Sequence, residues 1–198
     1  MERSYHTIGR VVAFHGCDFE IAKKLVNYDL RIAPSENDFD WLGGGAYFWV
    51  DSPQRAVEWA VWKSDRGIIK SPCVVGAFIH LGLCLSLADY GAMGDIKNAY
   101  ARLKAIFEAS GKPLPTNELK RDGIYLKRFL DCAVIDMVHF VRSAEGKPEY
   151  DTVLGVFEEG TPVFPGAGFK EKTHIQVAVR NPKCIIGYFQ VQGYEIFR

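Results

Sequence analysis

The sequence predicts an α+β fold, with short strands near both ends of the chain and amphipathic helices concentrated in its middle. Two observations carry this. Val11 to His15 and Ala46 to Val50 near one end, and Thr152 to Phe157 and Thr173 to Val179 near the other, are short runs of strand-forming residues. Between them, Asp95 to Ala109 and Leu126 to Val141 space their apolar residues at the helical period.

Taken in order, Val11 to His15 reads as a strand with a polar residue at its tip. Phe19 to Tyr28 places Ile21, Ala22, Leu25 and Val26 at helical spacing behind Asp18, a suitable N-cap. Ala33 to Trp41 is rich in Pro, Ser, Asn and Asp and reads as a loop. Ala46 to Val50 is an aromatic strand. Asp51-Ser52-Pro53 then opens a helix through Ala56, Val57, Ala60 and Val61, with proline in the first turn. Ser71 to Leu87 reads as a central strand interrupted at Gly82. The two middle helices carry Ile96, Ala99, Leu103, Ile106 and Phe107, then Phe129, Leu130, Ala133, Val134, Met137 and Val138, with a break over Gly111 to Pro115. Thr152 to Phe157 is a strand, Glu159 to Phe169 a Gly- and Pro-rich loop, and Cys184 to Phe189 a last short strand. No repeat, low-complexity tract or long linker divides the chain, so residues 1–198 read as one domain.

Composition excludes little. Lys plus Arg and Asp plus Glu are 24 each, so no global charge draws the chain to nucleic acid or acidic lipid. The opening residues do not resemble a signal peptide, and no run reaches the roughly 20 apolar residues of a membrane span. The five cysteines lack Cys-x-x-Cys spacing and read as buried free thiols in a reducing, cytoplasmic setting. No His, Cys, Asp and Glu cluster has metal-ligand spacing, so no metal is expected.

The densest chemical signal lies between Phe14 and Ala60. It contains His15-Gly16, then Leu30-Arg31-Ile32-Ala33-Pro34, then Trp41-Leu42-Gly43-Gly44-Gly45-Ala46-Tyr47-Phe48, then Ala56 and Trp59-Ala60. Each piece has an ordinary reading: a histidine ending a strand, a solvated arginine after a helix, a glycine turn before a strand. Together they form a nucleotide-holding pattern. A glycine admits close backbone approach, an arginine fork meets phosphate oxygens, and an aromatic face suits a flat cationic ring.

In this combination the segment resembles the ADP-ribosyltransferase superfamily, nearest its poly(ADP-ribose) polymerase or diphtheria-toxin-like branch. The resemblance covers roughly residues 11–87 and 150–189 and implies a split antiparallel β-sandwich with a central NAD cleft; residues 88–149 would be a helical insertion. It implies that His15 bonds a ribose hydroxyl, that the Gly16 backbone holds the nicotinamide carboxamide, and that Arg31 lies beside adenosine and phosphates. Gly45, Tyr47 and Phe48 would line the nicotinamide pocket, with Tyr47 stacking on the ring and Trp59 near the position of a second aromatic.

The family's third element is a glutamate on a late strand, and here the chain departs from it. Period-two alternation puts His174, Gln176 and Ala178 on one face of that strand. Gln176 is the expected third residue, with His174 beside it and Glu171 as an alternative carboxylate. A glutamine keeps a hydrogen-bond acceptor but lacks the charge that would activate a growing polymer. The resemblance therefore implies mono-ADP-ribosyl transfer from NAD to a protein or nucleic-acid acceptor, in the manner of a toxin or defence effector with an antitoxin or inhibitor as partner. A binding-only NAD or ADP-ribose module and an NAD glycohydrolase stay open as alternatives. No membrane partner is expected.

Overall fold

The computed structural model describes residues 9–119 and 125–195. Nine strands and four helices are found among them: β1 Arg10–Asp18, α1 Phe19–Val26, β2 Ala46–Val50, α2 Pro53–Asp65, β3 Pro72–His80, β4 Cys84–Ser86, α3 Met93–Ser110, β5 Asn117–Leu119, β6 Tyr125–Arg128, α4 Phe129–Ala144, β7 Thr152–Phe157, β8 His174–Val179 and β9 Ile185–Glu195. This is an α+β architecture. Seven strands form one sheet in the order β4-β7-β8-β2-β1-β3-β9, antiparallel throughout except for the β4–β7 pair.

Hydrogen bonding thus links the strands into one continuous sheet, but the linkage is thin in the middle. β1 pairs with β3 along its whole length, from Arg10 opposite His80 to Asp18 opposite Pro72. With β2 it pairs only at Ala13–Val50 and Phe14–Trp49. Beyond Phe14 the two central strands separate.

Several of the expected boundaries shift. β1 runs on past His15 to Asp18, so the histidine lies within the strand and not at its tip, and α1 already ends at Val26. The stretch expected as one interrupted strand over Ser71 to Leu87 forms two, β3 inside the sheet and β4 at its far edge. The Leu126 helix begins only at Phe129, because Tyr125–Arg128 pairs with Asn117–Leu119 as a small separate ribbon. Asn117 Oδ1 accepts from the Leu130 and Asp131 N–H groups, supplying the helix start that its first residue, following Arg128, lacks. The last strand runs on to Glu195 after a 3-10 turn at Pro182–Cys184. Asp18 caps α1, accepting from Glu20 N–H at 3.1 Å, while its other oxygen accepts from Lys70 and Ser71 N–H. Those bonds hold its carboxyl below the usual carboxylate range.

Pairing fixes which residues share a face. Ala13, Phe48, Ala77, Ile79, Val177 and Val179 form the core on one side. On the other, α2 packs over Phe14, Trp49 and Val74, and α3 with α4 pack over Val153, Phe157 and Ala178. Between those two covers the second face of β2 and β8 carries Tyr47, Trp49, His174 and Gln176, all buried or half-buried. All five cysteines are buried and free. Burial pushes the Cys17 and Cys132 thiols up to about 12 and Cys184 up to about 11. Among the described residues, no helix is long and apolar enough to cross a membrane, and no group of three or more His, Cys, Asp or Glu side chains could hold a metal ion.

Candidate functional site

β1 and β2 part beyond Phe14. Asp51 N–H donates to Val12 O at 3.0 Å, so the even-numbered residues of β1 turn their polar backbone groups toward β2. By that alternation the N–H and C=O of Gly16 face the space past the end of the ladder. His15 spans the opening: its Nδ1–H donates to the Tyr47 carbonyl at 2.8 Å, leaving Nε2 as a lone-pair acceptor. Burial lowers the His15 pKa to about 4 against the pull of that carbonyl, and the nearby Lys63 charge lowers it further, so the imidazole is neutral at pH 7.

Gly16 has a second constraint. A Cβ there would meet the Ala56 carbonyl oxygen at 2.2 Å and the Ala60 nitrogen at 3.1 Å. The bare glycine lets α2 lie directly on β1, with Ala56 and Ala60 fully buried between them. The side left bare by the glycine is therefore filled by helix backbone.

Tyr47 belongs to the other face. Its hydroxyl donates to Gly43 O at 2.7 Å and accepts from Leu42 N–H at 2.8 Å, which closes the glycine turn onto its own ring. Gly43 adopts φ 72°, a left-handed conformation that a side chain would strain. The backbones of Gly44 and Gly45 are occupied: Gly45 exchanges two bonds with Ser35, and Arg180 donates to Gly44 O at 3.3 Å. Phe48 is fully buried and its ring lies 5.6 Å from that of His15, so it forms the floor of the core behind the opening.

On β8, Gln176 stands opposite Trp49 on β2 and Gly155 on β7. Gln176 is half-buried, and the space beside Gly155 is taken by the Leu42 and Phe157 side chains. His174, two residues back on the same face, is buried; its Nδ1 bonds the Lys172 carbonyl at 2.7 Å, and its Nε2 lies 3.2 Å from Gln176 Nε2. Glu171 is exposed and accepts from the Thr161 hydroxyl within the preceding loop. Trp59 projects from α2, 39 % exposed, stacked on Trp62 at 4.8 Å and tilted against Trp49 at 6.1 Å. Arg31 is exposed on the His15 face, next to Tyr188, whose hydroxyl accepts from Ile32 N–H at 3.4 Å.

The structure thus brings Tyr47, Trp49, His174 and Gln176 together on one face, sets His15 and Arg31 on the other, and joins the two groups through the split. It also adds charged residues that sequence reasoning missed. Arg55 bridges Glu58 on its own helix and Glu159, 2.5 Å away on the loop after β7, and Lys172 reaches Glu58 at 3.1 Å. Burial alone would raise Glu58, but Lys172 and Arg55 bring it below the usual carboxylate range. The signal for Glu159 was present: it continues the alternation of Val153, Gly155 and Phe157 past the strand end, onto the Gln176 face.

No known family model matches this chain. It is similar to an uncharacterized protein of Methanocaldococcus jannaschii, 23 % identical over 193 residues that cover 89 % of this chain and 85 % of that protein. That similarity brings no assigned activity with it.

Proposed function

We propose that the protein is a mono-ADP-ribosyltransferase of the ADP-ribosyltransferase fold, taking NAD as substrate and transferring ADP-ribose to a macromolecular acceptor. The observation that supports this best is the split between β1 and β2. A backbone N–H and C=O at Gly16 suit the acceptor and donor of a nicotinamide carboxamide, and the aromatic ring of Tyr47, whose carbonyl bonds His15 next to Gly16, suits the flat face of the ring. A dinucleotide laid across the split would reach His15 and Arg31 with its adenosine half, and Tyr47 and Gln176 with its nicotinamide half. The neutral His15 ring offers Nε2 to a ribose hydroxyl.

In the reaction the bond from the ribose anomeric carbon to the nicotinamide nitrogen breaks, and its electron pair leaves with nicotinamide. The acceptor nucleophile forms the new bond at that carbon and gives up its proton to solvent or a base. Gln176 contributes a hydrogen-bond acceptor for a ribose hydroxyl, which orients the sugar but does not neutralise the developing positive charge. One ADP-ribose per acceptor site follows, because an amide is a poor base for a further round.

The test is nicotinamide release from NAD by the purified protein, together with transfer of adenine-labelled NAD into lysate treated afterwards with protease or nuclease. Release with label on macromolecule supports transfer. Release without label points to NAD hydrolysis, and NAD binding without release to a binding module. Absence of both binding and release overturns the reading.

A further inference from the structure

We propose that His174 is a positioning residue that turns the Gln176 amide so that its carbonyl oxygen faces the cleft, with Lys172 and Glu159 fixing the tautomer this requires. The inference rests on the reading of Gln176 as the acceptor for a ribose hydroxyl. The Lys172 carbonyl can only accept, so its 2.7 Å bond places the hydrogen of His174 on Nδ1. In the neutral ring Nε2 then carries a lone pair, and the amide atom 3.2 Å away must be the donating NH2 of Gln176. The reverse orientation would set two lone-pair atoms against each other. The Gln176 Oε1 is thereby directed away from His174, and among the described residues no protein group bonds it.

The surroundings hold this arrangement. Glu159 Oε2 lies 3.7 Å from His174 Nδ1 and favours hydrogen on that nitrogen, while Arg55 anchors Glu159 at 2.5 Å. The charged groups facing His174 are Arg55 and Glu58 from α2, Glu159 from the loop after β7, and Lys172 from its own loop. Burial holds His174 below its ordinary value, with the Lys172 carbonyl opposing and Arg55 reinforcing it, so the ring stays neutral at pH 7. The His174 side chain has no exposed surface, so it acts on a ligand only through Gln176. Protonation would put a hydrogen on Nε2, which must then meet Oε1. The amide turns over and its donor, not its acceptor, faces the cleft.

Two measurements test this. In 15N-labelled protein without NAD, NMR should find His174 protonated on Nδ1 alone at pH 7. The Gln176 amide signals should then move on acidification with the same midpoint as the His174 ring. A different tautomer, or separate midpoints, overturns the proposal whether or not the protein is a transferase. In the nicotinamide-release assay, His174→Phe should lower the rate at least about tenfold, since misplacing one group by about 1 Å costs up to a hundredfold. It should also remove the acid limb of the pH profile. Gln176→Glu added to His174→Phe should restore the rate, because a carboxylate has two equivalent oxygens and needs no orientation. A double variant as slow as His174→Phe, in protein of unchanged melting temperature, overturns the orienting role.

Discussion

Gly16→Ala isolates the role of the central glycine. The new Cβ would lie 2.2 Å from the Ala56 carbonyl oxygen. An ordinary carbon–oxygen contact is about 3.3 Å or more, so α2 would have to retreat by about 1 Å. The neighbour is helix backbone, which no rotamer change can relieve, and Ala56 and Ala60 would lose their close seat on β1. Overpacking of this kind costs about 1–3 kcal/mol, and occasionally more. For a chain of this size that is a fall in melting temperature of about 2–12 °C. Differential scanning calorimetry measures it, and hydrogen exchange should show faster opening of α2 than of α4. A variant that melts with the parent yet loses NAD binding would refute this reasoning and make Gly16 a ligand contact alone.

Three further outcomes follow from the same geometry. Tyr47→Phe keeps the ring but strands Leu42 N–H and Gly43 O, so it should cost about 1–3 kcal/mol in chemical denaturation while NAD affinity by calorimetry stays near the parent's; Tyr47→Ala should lose both. Equal loss of affinity in the two variants would assign binding to the hydroxyl. Thr152→Val should cost a similar about 1–3 kcal/mol, because the fully buried hydroxyl donates to Leu81 O at 2.6 Å and valine leaves that carbonyl unpaired. Acid should destabilise the fold through its buried histidines. Burial lowers His15 to about 4 and His139 to about 3, from 6.5 in the unfolded chain. Between those values the unfolded state binds more protons than the folded one. This contribution to stability is complete above about pH 6.5 and declines as the pH falls toward 4 and then 3. Urea midpoints across that range measure the slope, and His139→Leu should flatten it, since neither His139 ring nitrogen has a hydrogen bond.

Much of the architecture was legible because apolar period and residue type agreed locally. Ala46–Val50 and Thr152–Phe157 occur with the expected boundaries, and the alternation along β8 correctly paired His174 with Gln176. The β5–β6 ribbon was not legible, because Tyr125–Arg128 carries an apolar residue at helical spacing and only pairing with Asn117–Leu119 withdraws it from the helix. The candidate residues could be named from the sequence, but not their geometry. Nothing in His15-Gly16 says that the ring and the glycine serve different sides of one sheet, nor that Gly16 is covered by the Ala56 carbonyl. The Arg55–Glu159 pair joins residues far apart in sequence, and such ion pairs have no local signature. Only the strand parity of Glu159 hinted at it.

The place of β2 in the sheet has a consequence for synthesis. Its partner on one side is β8, with Ala46 opposite Val179 and Val50 opposite Ile175, and everything from Asp51 to Thr173 is made between the two. At about 5–20 residues per second, these strands emerge from the ribosome on the order of ten seconds apart. During that interval β2 presents an open edge of aromatic and aliphatic residues, Ala46-Tyr47-Phe48-Trp49-Val50, a segment prone to pair with another nascent chain. The face that carries Tyr47 and Gln176 is incomplete until β8 arrives. A long-range pairing at the heart of the sheet is therefore completed only in the last part of translation, and the strand that carries Tyr47 waits longest for its partner.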